Sequence, residues 1–273
     1  MSNFLSDLPT ELIPFQSAIA SSIIDCLKIK ISPQKNRNLF IENKIGGLPY
    51  LPVDKNYPIN DQGEYLRLVA QLNFATIPPL KNFPQQGILQ FFIESCEHKS
   101  RFYGLDFNNP TLQTGYKIIY YSDISESIVT NFDFLGNLEE DYLFPIQGEF
   151  SLNFSKEKSI VTPYNEDFND YLPELSKAEN QQLLELYINY YDSKFNEAVH
   201  QLGGHPMFTQ SDPRIGEFKT QEPYQLLLQI DSEYCDQGYD ICWGDCGIAN
   251  FFIHPSDLKN LNFSKVLYNW DCS

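Results

Sequence analysis

The sequence predicts an α+β fold in which two internally duplicated units, each a helix followed by an antiparallel sheet, pack as one β-rich body with a pseudo-twofold axis. Three observations support this prediction. Short blocks of the first half recur in the same order in the second half, most of these blocks have the composition of strands, and the clearest strands are apolar along nearly their whole length. Apolar strands need cover on both faces, so one body is favoured over the alternative of two separate domains.

The recurring blocks define the organisation of the chain. Four pairs of blocks correspond without reordering, and they are 46–49 with 203–206, 71–73 with 229–231, 87–93 with 247–253, and 117–123 with 265–271. Residues 1–125 are therefore predicted to form the first repeat and residues 171–273 the second. Residues 126–170, for which no counterpart is found, are predicted to be an insertion or connector that contains strands.

A helix is expected near the start of each repeat. In the second repeat, Ser176 and Glu179 have the spacing of a capping box, and apolar residues then recur at helical spacing. This helix is predicted to run to about Val199. In the first repeat, residues 10–26 carry an apolar stripe, and Pro14 confines the regular part of the helix.

Several segments have the composition of strands. Two nearly continuous apolar runs bounded by turn residues fit strands that are covered on both faces, and they are 88–93 and 226–230. Shorter runs that contain β-branched and aromatic residues are 117–121 and 265–268. In the connector, strand-like pieces lie at 142–146 and 149–154, and a polar turn is expected at 155–159.

Two features present in both repeats are predicted to serve the fold. In Gly-Gly-x-Pro, a glycine can take a positive φ, and the proline fixes the exit of the chain. A glutamine inside an apolar strand must be hydrogen-bonded if it is buried, and irregular backbone such as the Gly-Gly turn is the expected partner. The residues with this structural role are Gly46, Gly47, Pro49, Gln71, Gly203, Gly204, Pro206 and Gln229.

Composition restricts the classes of partner. The chain has 273 residues, with 36 Asp and Glu against 19 Lys and Arg, and a formal net charge of -17. Nucleic acids and anionic membranes both require a basic surface, so neither is expected to bind. A basic protein partner is the sharper alternative to an acidic surface that only keeps the protein soluble.

The first 30 residues lack a basic start followed by an uninterrupted apolar run. No stretch approaches the ~20 apolar residues of a membrane span. A cytoplasmic protein is therefore expected. Its six cysteines would be reduced thiols, mostly packed as small apolar groups.

Residues 231–247 differ most between the two repeats and are the first candidate for a binding site. The segment is acidic, contains three cysteines and has a tryptophan in its middle. Asp236, Asp240, Trp243 and Asp245 are predicted to bind a protein partner, because an aromatic anchor within a polar rim is typical of interfaces. The alternative is a solvated acidic loop that its tryptophan holds in place.

The sequence predicts no metal and no cofactor for this loop. Cys242 and Cys246, with Cys235 nearby, lack the fourth ligand of a closed zinc site. The carboxylates do not have the spacing of a calcium-binding loop.

A rival hypothesis places a small ligand or a reaction in a cleft between the two repeats. Its candidate residues, all in the second repeat, are His205, Asp212, Arg214, Cys246 and His254. His205 corresponds to Leu48, which can neither bind a metal nor move a proton. The signatures of serine hydrolases, zinc proteases and phosphate-binding loops are missing, so no catalytic residue is assigned and a non-enzymatic protein is favoured.

Several blocks together resemble the YwqG-like proteins. They are Asn43 to Pro49 followed by Leu51 and Pro52, Gln71 to Asn73, Gly87 to Ile93, Leu226 to Asp231, Trp243-Gly-Asp245-x-Gly247 and Phe251 to Ile253. The resemblance spans essentially the full length of the chain. It implies a bacterial family of unknown function, a duplicated α+β fold and a cytosolic setting, with no established catalytic residue. For some members it also implies a role as immunity partners of bacterial toxins, which would suit an acidic protein that faces a basic target.

Overall fold

The protein is built around one large antiparallel β-sheet with few helices. The structure is a computed structural model that describes residues 5–34, 39–95, 101–136, 143–194, 199–215, 220–235 and 239–273. Within these residues the α-helices are α1 (Gln16–Ser21), α2 (Phe168–Tyr171), α3 (Gln181–Asp192) and α4 (Pro255–Lys259). Short 3₁₀ helices lie at Thr10–Phe15, Asp133–Leu135 and Ala178–Asn180.

The strands fall into one large sheet and two small ones. In chain order they are β1 (Ile24–Pro33), β2 (Lys44–Gly46), β3 (Arg67–Asn73), β4 (Ile88–Ile93), β5 (Arg101–Phe102), β6 (Leu105–Asp106), β7 (Tyr116–Tyr121), β8 (Ile146–Gln147), β9 (Glu149–Ser159), β10 (His200–Gly203), β11 (Gln225–Asp231), β12 (Glu233–Cys235), β13 (Tyr239–Ile241), β14 (Ile248–Ile253) and β15 (Leu267–Asp271). The large sheet has the order β15-β14-β11-β10-β1-β9-β2-β3-β4-β7, and every neighbouring pair in it is antiparallel.

The centre of the large sheet is the long pair β1 and β9. Their register runs without interruption from Ile24 opposite Ser159 to Pro33 opposite Phe150. On one side of this pair lie β10, β11, β14 and β15, and on the other side lie β2, β3, β4 and β7 in the corresponding order. The pairing of β3 with β4 shifts register between Leu68 and Ala70, and the pairing of β11 with β14 shifts register between Leu226 and Leu228. The two shifts lie at the same place in their strand pairs.

The two flanks of the large sheet face each other across the core. Phe91 of β4 packs on Phe251 of β14 with ring centroids 4.8 Å apart, and Tyr116 of β7 packs on Tyr268 of β15 with centroids 5.2 Å apart. The sheet is therefore curled, so that its inner face encloses one large apolar cluster. A second cluster lies under the helices and joins the N-terminal turns to α2 and α3.

The predicted helix in the first repeat is wrong in its second part. A 3₁₀ helix and α1 end at Ser21, and β1 begins at Ile24. Leu27, Ile29 and Ile31 alternate along this strand, and all three side chains are buried in the core. A spacing of two places all three on one face of a strand, and the pairing with β9 and β10 decides the conformation.

The predicted helix of the second repeat is shorter than expected. It begins as a 3₁₀ helix at Ala178, and α3 ends at Asp192. The capping box does not form, because no side chain caps either helical start. Val199 lies beyond the helix, where its N–H donates to Asp231 Oδ2 at 2.8 Å just before β10 begins.

Most of the predicted strands are confirmed. Strands β4, β7 and β11 lie where the apolar runs predict them, and β15 starts two residues after the predicted run begins. The predicted polar turn at 155–159 is wrong, because these residues continue β9 opposite β1. Residues 155–157 are exposed in this strand, so their polar composition reflects a solvated face and not a chain reversal. No helix in the described residues has the length and apolar character needed to cross a membrane.

Candidate functional site

The Gly-Gly turns are backbone features that position the sheet. Gly46, Gly47, Gly203 and Gly204 all have left-handed backbone, with φ between 63° and 78°. A Cβ atom on Gly46 would lie 2.3 Å from the carbonyl oxygen of Gly148. Glycine is therefore required there both by the conformation and by the close approach of two backbone segments.

Buried amides tie these turns to the strands. The side-chain oxygen of Gln71 accepts the N–H of Tyr50, which follows Pro49, at 2.7 Å. The side-chain oxygen of Gln229 accepts the N–H of Met207, which follows Pro206, at 2.8 Å. The turn and the strand after it are thus held together by one hydrogen bond in each half.

The acidic segment 231–247 is a hairpin followed by a tight loop. Strands β12 and β13 pair with each other and β13 pairs with β8. Ser232 Oγ donates to the carbonyl of Gly247 at 2.7 Å and accepts the N–H of Trp243 at 3.0 Å. Gly247 N–H donates to the carbonyl of Trp243 at 2.7 Å. These bonds fix both ends of the loop 243–247 to its base.

Trp243 points into the protein and not toward a partner. Its side chain is 0% exposed and lies edge-on to Tyr103, with ring centroids 5.8 Å apart. The part of the interface prediction that treats this tryptophan as a surface anchor is therefore corrected. The indole removes a large apolar area from water and holds the loop in place. Its Nε1 atom has no hydrogen-bond partner among the described residues.

Two of the remaining predicted binding residues, Asp240 and Asp245, lie on the outer side of this segment. Asp245 is exposed and Asp240 is partly exposed, while Asp236 lies outside the described residues. Tyr234, which is not among the residues predicted from sequence, is 64% exposed on β12. We call Tyr234, Asp240 and Asp245 the acidic loop surface.

Two thiols meet at Tyr234. Its hydroxyl oxygen lies 3.3 Å from Cys242 Sγ and 3.2 Å from Cys246 Sγ. Both contacts raise the pKa of the Tyr234 hydroxyl, the contact with Cys242 most strongly. The phenol is therefore protonated at neutral pH and can donate its hydrogen to sulfur.

The prediction that the cysteines pack mostly as small apolar groups is wrong for most of those described. Cys26 fits it, because it is buried and burial raises the pKa of its thiol to about 11. Cys235 is partly exposed but also fits it, because it packs against the large apolar cluster, whereas Cys242 and Cys272 are partly exposed and Cys246 is exposed. Cys96 lies outside the described residues. Apart from the buried Cys26, the described thiols therefore lie where small molecules can reach them.

A buried histidine anchors the base of the acidic segment. His200 Nδ1 accepts the N–H of Asp231 at 3.1 Å, so its proton is on Nε2, which donates to Glu233 Oε2 at 2.9 Å. Burial raises the pKa of the neighbouring Asp231 carboxyl. No sequence pattern identifies His200, because its contacts join strands that are about thirty residues apart in the chain.

The residues of the rival cleft hypothesis are only partly brought together. Arg214 Nε donates to Asp212 Oδ1 at 2.9 Å, and both side chains are buried. Arg214 Nη1 donates to the carbonyl of Tyr224 at 3.0 Å, and the Tyr224 ring stacks on His254 with centroids 3.8 Å apart. Asp212, Arg214 and His254 thus lie in one neighbourhood, where the arginine already holds the carboxylate.

The other two cleft candidates occupy different places. His205 is buried, and its Nε2 donates to the carbonyl of Ser22 at 2.7 Å. Burial lowers the pKa of this histidine, so its ring is neutral and serves packing. The 6 residues of β14 lie between Cys246 and His254, and at ~3.3 Å per residue this strand alone separates them by about 20 Å. The structure therefore does not bring Cys246 to His254.

Taken together, the fold and the site define a β-rich α+β protein whose unusual side chains lie on an acidic hairpin and loop. Among the described residues, no group of three or more His, Cys, Asp or Glu side chains is arranged to hold a metal ion. The chain belongs to the family defined by DUF1963, a domain of unknown function, whose model matches residues 43–272. No curated protein matches the chain.

Proposed function

We propose that this protein is a non-enzymatic cytosolic binding protein that recognises a basic protein partner through the acidic loop surface. The observation that carries the proposal is the exposure of Tyr234 beside Asp240 and Asp245. The loop that contains Asp245 is held at its base by the hydrogen bond from Ser232 to Gly247. The formal net charge of -17 adds a long-range field that attracts a basic partner.

The geometry suits recognition because little has to be ordered on binding. The loop is already held by the buried Trp243 and by the bonds of Ser232, so the entropic cost of fixing it is small. An exposed tyrosine provides apolar area and a hydroxyl at low conformational cost, and tyrosine is enriched among the residues that dominate interfaces. The carboxylates provide charge complementarity, which raises the rate of association.

The resemblance to YwqG-like proteins narrows the class of partner in this proposal. We propose that the chain is one of these proteins, on the blocks of sequence that carry the resemblance. A basic bacterial toxin is then one partner of the required chemistry.

A charge-reversal experiment tests the proposal. The immobilised protein is exposed to lysate of its own organism and to the products of neighbouring genes, and bound proteins are eluted with rising salt. We expect a stoichiometric basic partner that is released before ~1 M salt, where the Debye length is about 3 Å. Asp240→Lys with Asp245→Lys should abolish its capture.

A matched control separates the loop from net charge. Glu179→Lys with Glu185→Lys makes the same change in charge at two exposed positions near and on α3. This control should retain the partner, and both variants should unfold at the temperature of the wild type. Equal loss of binding in both variants would mean that the loop has no special role, and unchanged binding by the loop variant would overturn the proposal.

We also propose that the fold is an internal duplication with a pseudo-twofold axis. The matching strand orders on the two sides of β1 and β9 support it, as do the matching register shifts in β3 and β11. In this proposal the first strand of each unit, β1 or β9, pairs with the Gly-Gly strand of the other unit. The second unit then begins at β9, and equal losses of stability are expected from the same substitution at Gln71 and Gln229.

A further inference from the structure

We propose that Cys242 and Cys246 form a binding site for a single soft monovalent cation, Cu(I), at the surface of the acidic segment. The site is independent of the proposed protein partner, since it needs only the two thiols and solvent access.

The two sulfur atoms converge on one point. Each lies within 3.3 Å of the Tyr234 hydroxyl oxygen, so they face each other across a single atom. Cys246 is exposed and Cys242 is partly exposed. An ion from solvent can therefore reach both sulfurs once the tyrosine moves, and the 64% exposure of Tyr234 leaves its ring room to rotate.

The backbone holds the two thiols in this arrangement before any ion binds. Cys242 N–H donates to the carbonyl of Pro145 at 2.8 Å, and Gly247 N–H, next to Cys246, donates to the carbonyl of Trp243 at 2.7 Å. Cys246 itself already has a left-handed backbone, with φ of 61°, which residues other than glycine rarely adopt. Little backbone rearrangement is therefore needed to bring the second thiol to the ion.

The donor set selects the ion. A zinc site needs four ligands and a calcium site needs six or more oxygens, but the described residues offer no third His, Cys, Asp or Glu side chain for a larger cluster here. Two thiolates without harder ligands suit a soft cation such as Cu(I). The negative charge of the loop and of the whole chain favours a cation over an anion.

Binding exchanges protons for the metal. Each thiol loses its proton to solvent and forms one sulfur–copper bond, and copper enters and remains as Cu(I), so no oxidant or reductant is consumed. The Tyr234 hydroxyl can donate a hydrogen bond to one thiolate, which stabilises the charged form of the sulfur.

Competition with a chromophoric chelator tests the site. The full chain is reduced, freed of reductant under argon, and titrated into the coloured Cu(I) complex of bicinchoninate. We expect about one equivalent of Cu(I) to be withdrawn per chain, with loss of the chelator colour and a new thiolate-to-copper band in the ultraviolet. Cys242→Ser with Cys246→Ser should leave the chelator colour unchanged.

Three variants make the result specific. Cys235→Ser with Cys272→Ser removes the other partly exposed thiols and should still withdraw the single equivalent. Tyr234→Phe should also retain binding, because the phenol is not a ligand in this site. Circular dichroism checks that each variant is folded. The proposal is overturned if the wild type does not compete, if Cys242→Ser with Cys246→Ser competes equally, or if the Cys235/Cys272 variant loses the ion.

Discussion

Gln71 and Gln229 make the same hydrogen bond at two places in one sheet. Each side-chain oxygen accepts the backbone N–H of the residue that follows a Gly-Gly-x-Pro turn. Each strand neighbour adds a second amide, because Gln90 donates to the carbonyl of Tyr50 and Asn250 donates to that of Met207. All four amide side chains are buried, so the turns depend on them for their hydrogen bonds.

Replacing either glutamine should destabilise the fold by a similar amount. Gln71→Leu leaves a buried backbone N–H without its acceptor and Gln229→Leu a partly buried one, and such a loss costs about 1–3 kcal/mol. Urea unfolding measures it as a lower midpoint with an unchanged slope. Gln182→Leu, at an exposed position of α3, is the control and should change stability by less than about 0.5 kcal/mol. A midpoint unchanged by Gln71→Leu would contradict this account of the turn.

Breaking the ion pair between Lys44 and Glu149 should destabilise the fold strongly, whereas replacing both residues by apolar ones should destabilise it much less. The two side chains lie 2.8 Å apart and are 2% and 3% exposed. Lys44→Met leaves a buried carboxylate without its partner, which costs roughly 3–5 kcal/mol. Combining it with Glu149→Leu removes both charges and should recover most of that loss.

A double-mutant cycle in urea measures this coupling. The control pair is Lys158 with Asp25, which joins β9 to its other neighbour, β1, at the surface. Lys158→Met should lower stability by at most about 1 kcal/mol, because exposed ion pairs contribute little. If the Lys44→Met, Glu149→Leu double variant were as unstable as Lys44→Met alone, the unpaired charge would not be the cause.

The flanks of the sheet were predictable from sequence, and its centre was not. Strands β4 and β11 are buried along their length, so their apolar runs identify them directly. Strand β9 has an exposed polar stretch at 155–157, which has the composition of a turn. Strand β1 follows a short helix and shows a period of two only over Leu27, Ile29 and Ile31. Because its pairing partners are distant in the chain, local composition does not predict this strand.

The segment that holds the candidate site was predictable from sequence. The arrangement of its side chains was not. The acidity of 231–247 and the divergence between the predicted repeats identified the loop. Composition could not show that Trp243 points inward, because burial depends on Tyr103 and the strands around it. The Cys242-x-x-x-Cys246 spacing was visible, but Tyr234 joins it only through the pairing of β12 with β13.

A methyl group at Gly46 should be far more damaging than one at Gly63. Both glycines have positive φ, 71° and 83°, so alanine meets the same backbone penalty of roughly 1–2 kcal/mol at either site. The added Cβ at Gly46 would also lie 2.3 Å from Gly148 O, whereas nothing lies within 4 Å of one at Gly63. Thermal unfolding should therefore show a larger fall in Tm for Gly46→Ala. Equal falls would show that the close backbone approach has no energetic effect.

His205 should make stability depend on pH on the acid side of neutrality. Burial lowers the pKa of its imidazole below the ordinary value of about 6.5. Between the lowered pKa and about 6.5, the unfolded chain binds a proton that the folded protein does not. The free energy of unfolding therefore falls as the pH decreases through this window, and this contribution is fully present above it.

His205→Gln isolates this contribution from that of the other titrating groups. Glutamine can still donate to the carbonyl of Ser22, the acceptor of the histidine bond, but it does not titrate. Urea unfolding of both proteins should be measured from pH 8 to pH 5. The difference in stability between them should be constant above pH ~7, and below ~6.5 the wild type should lose stability in addition to any loss that both proteins share. Parallel curves over the whole range would mean that the histidine takes up its proton equally well in the folded protein, and that its burial does not oppose the charge.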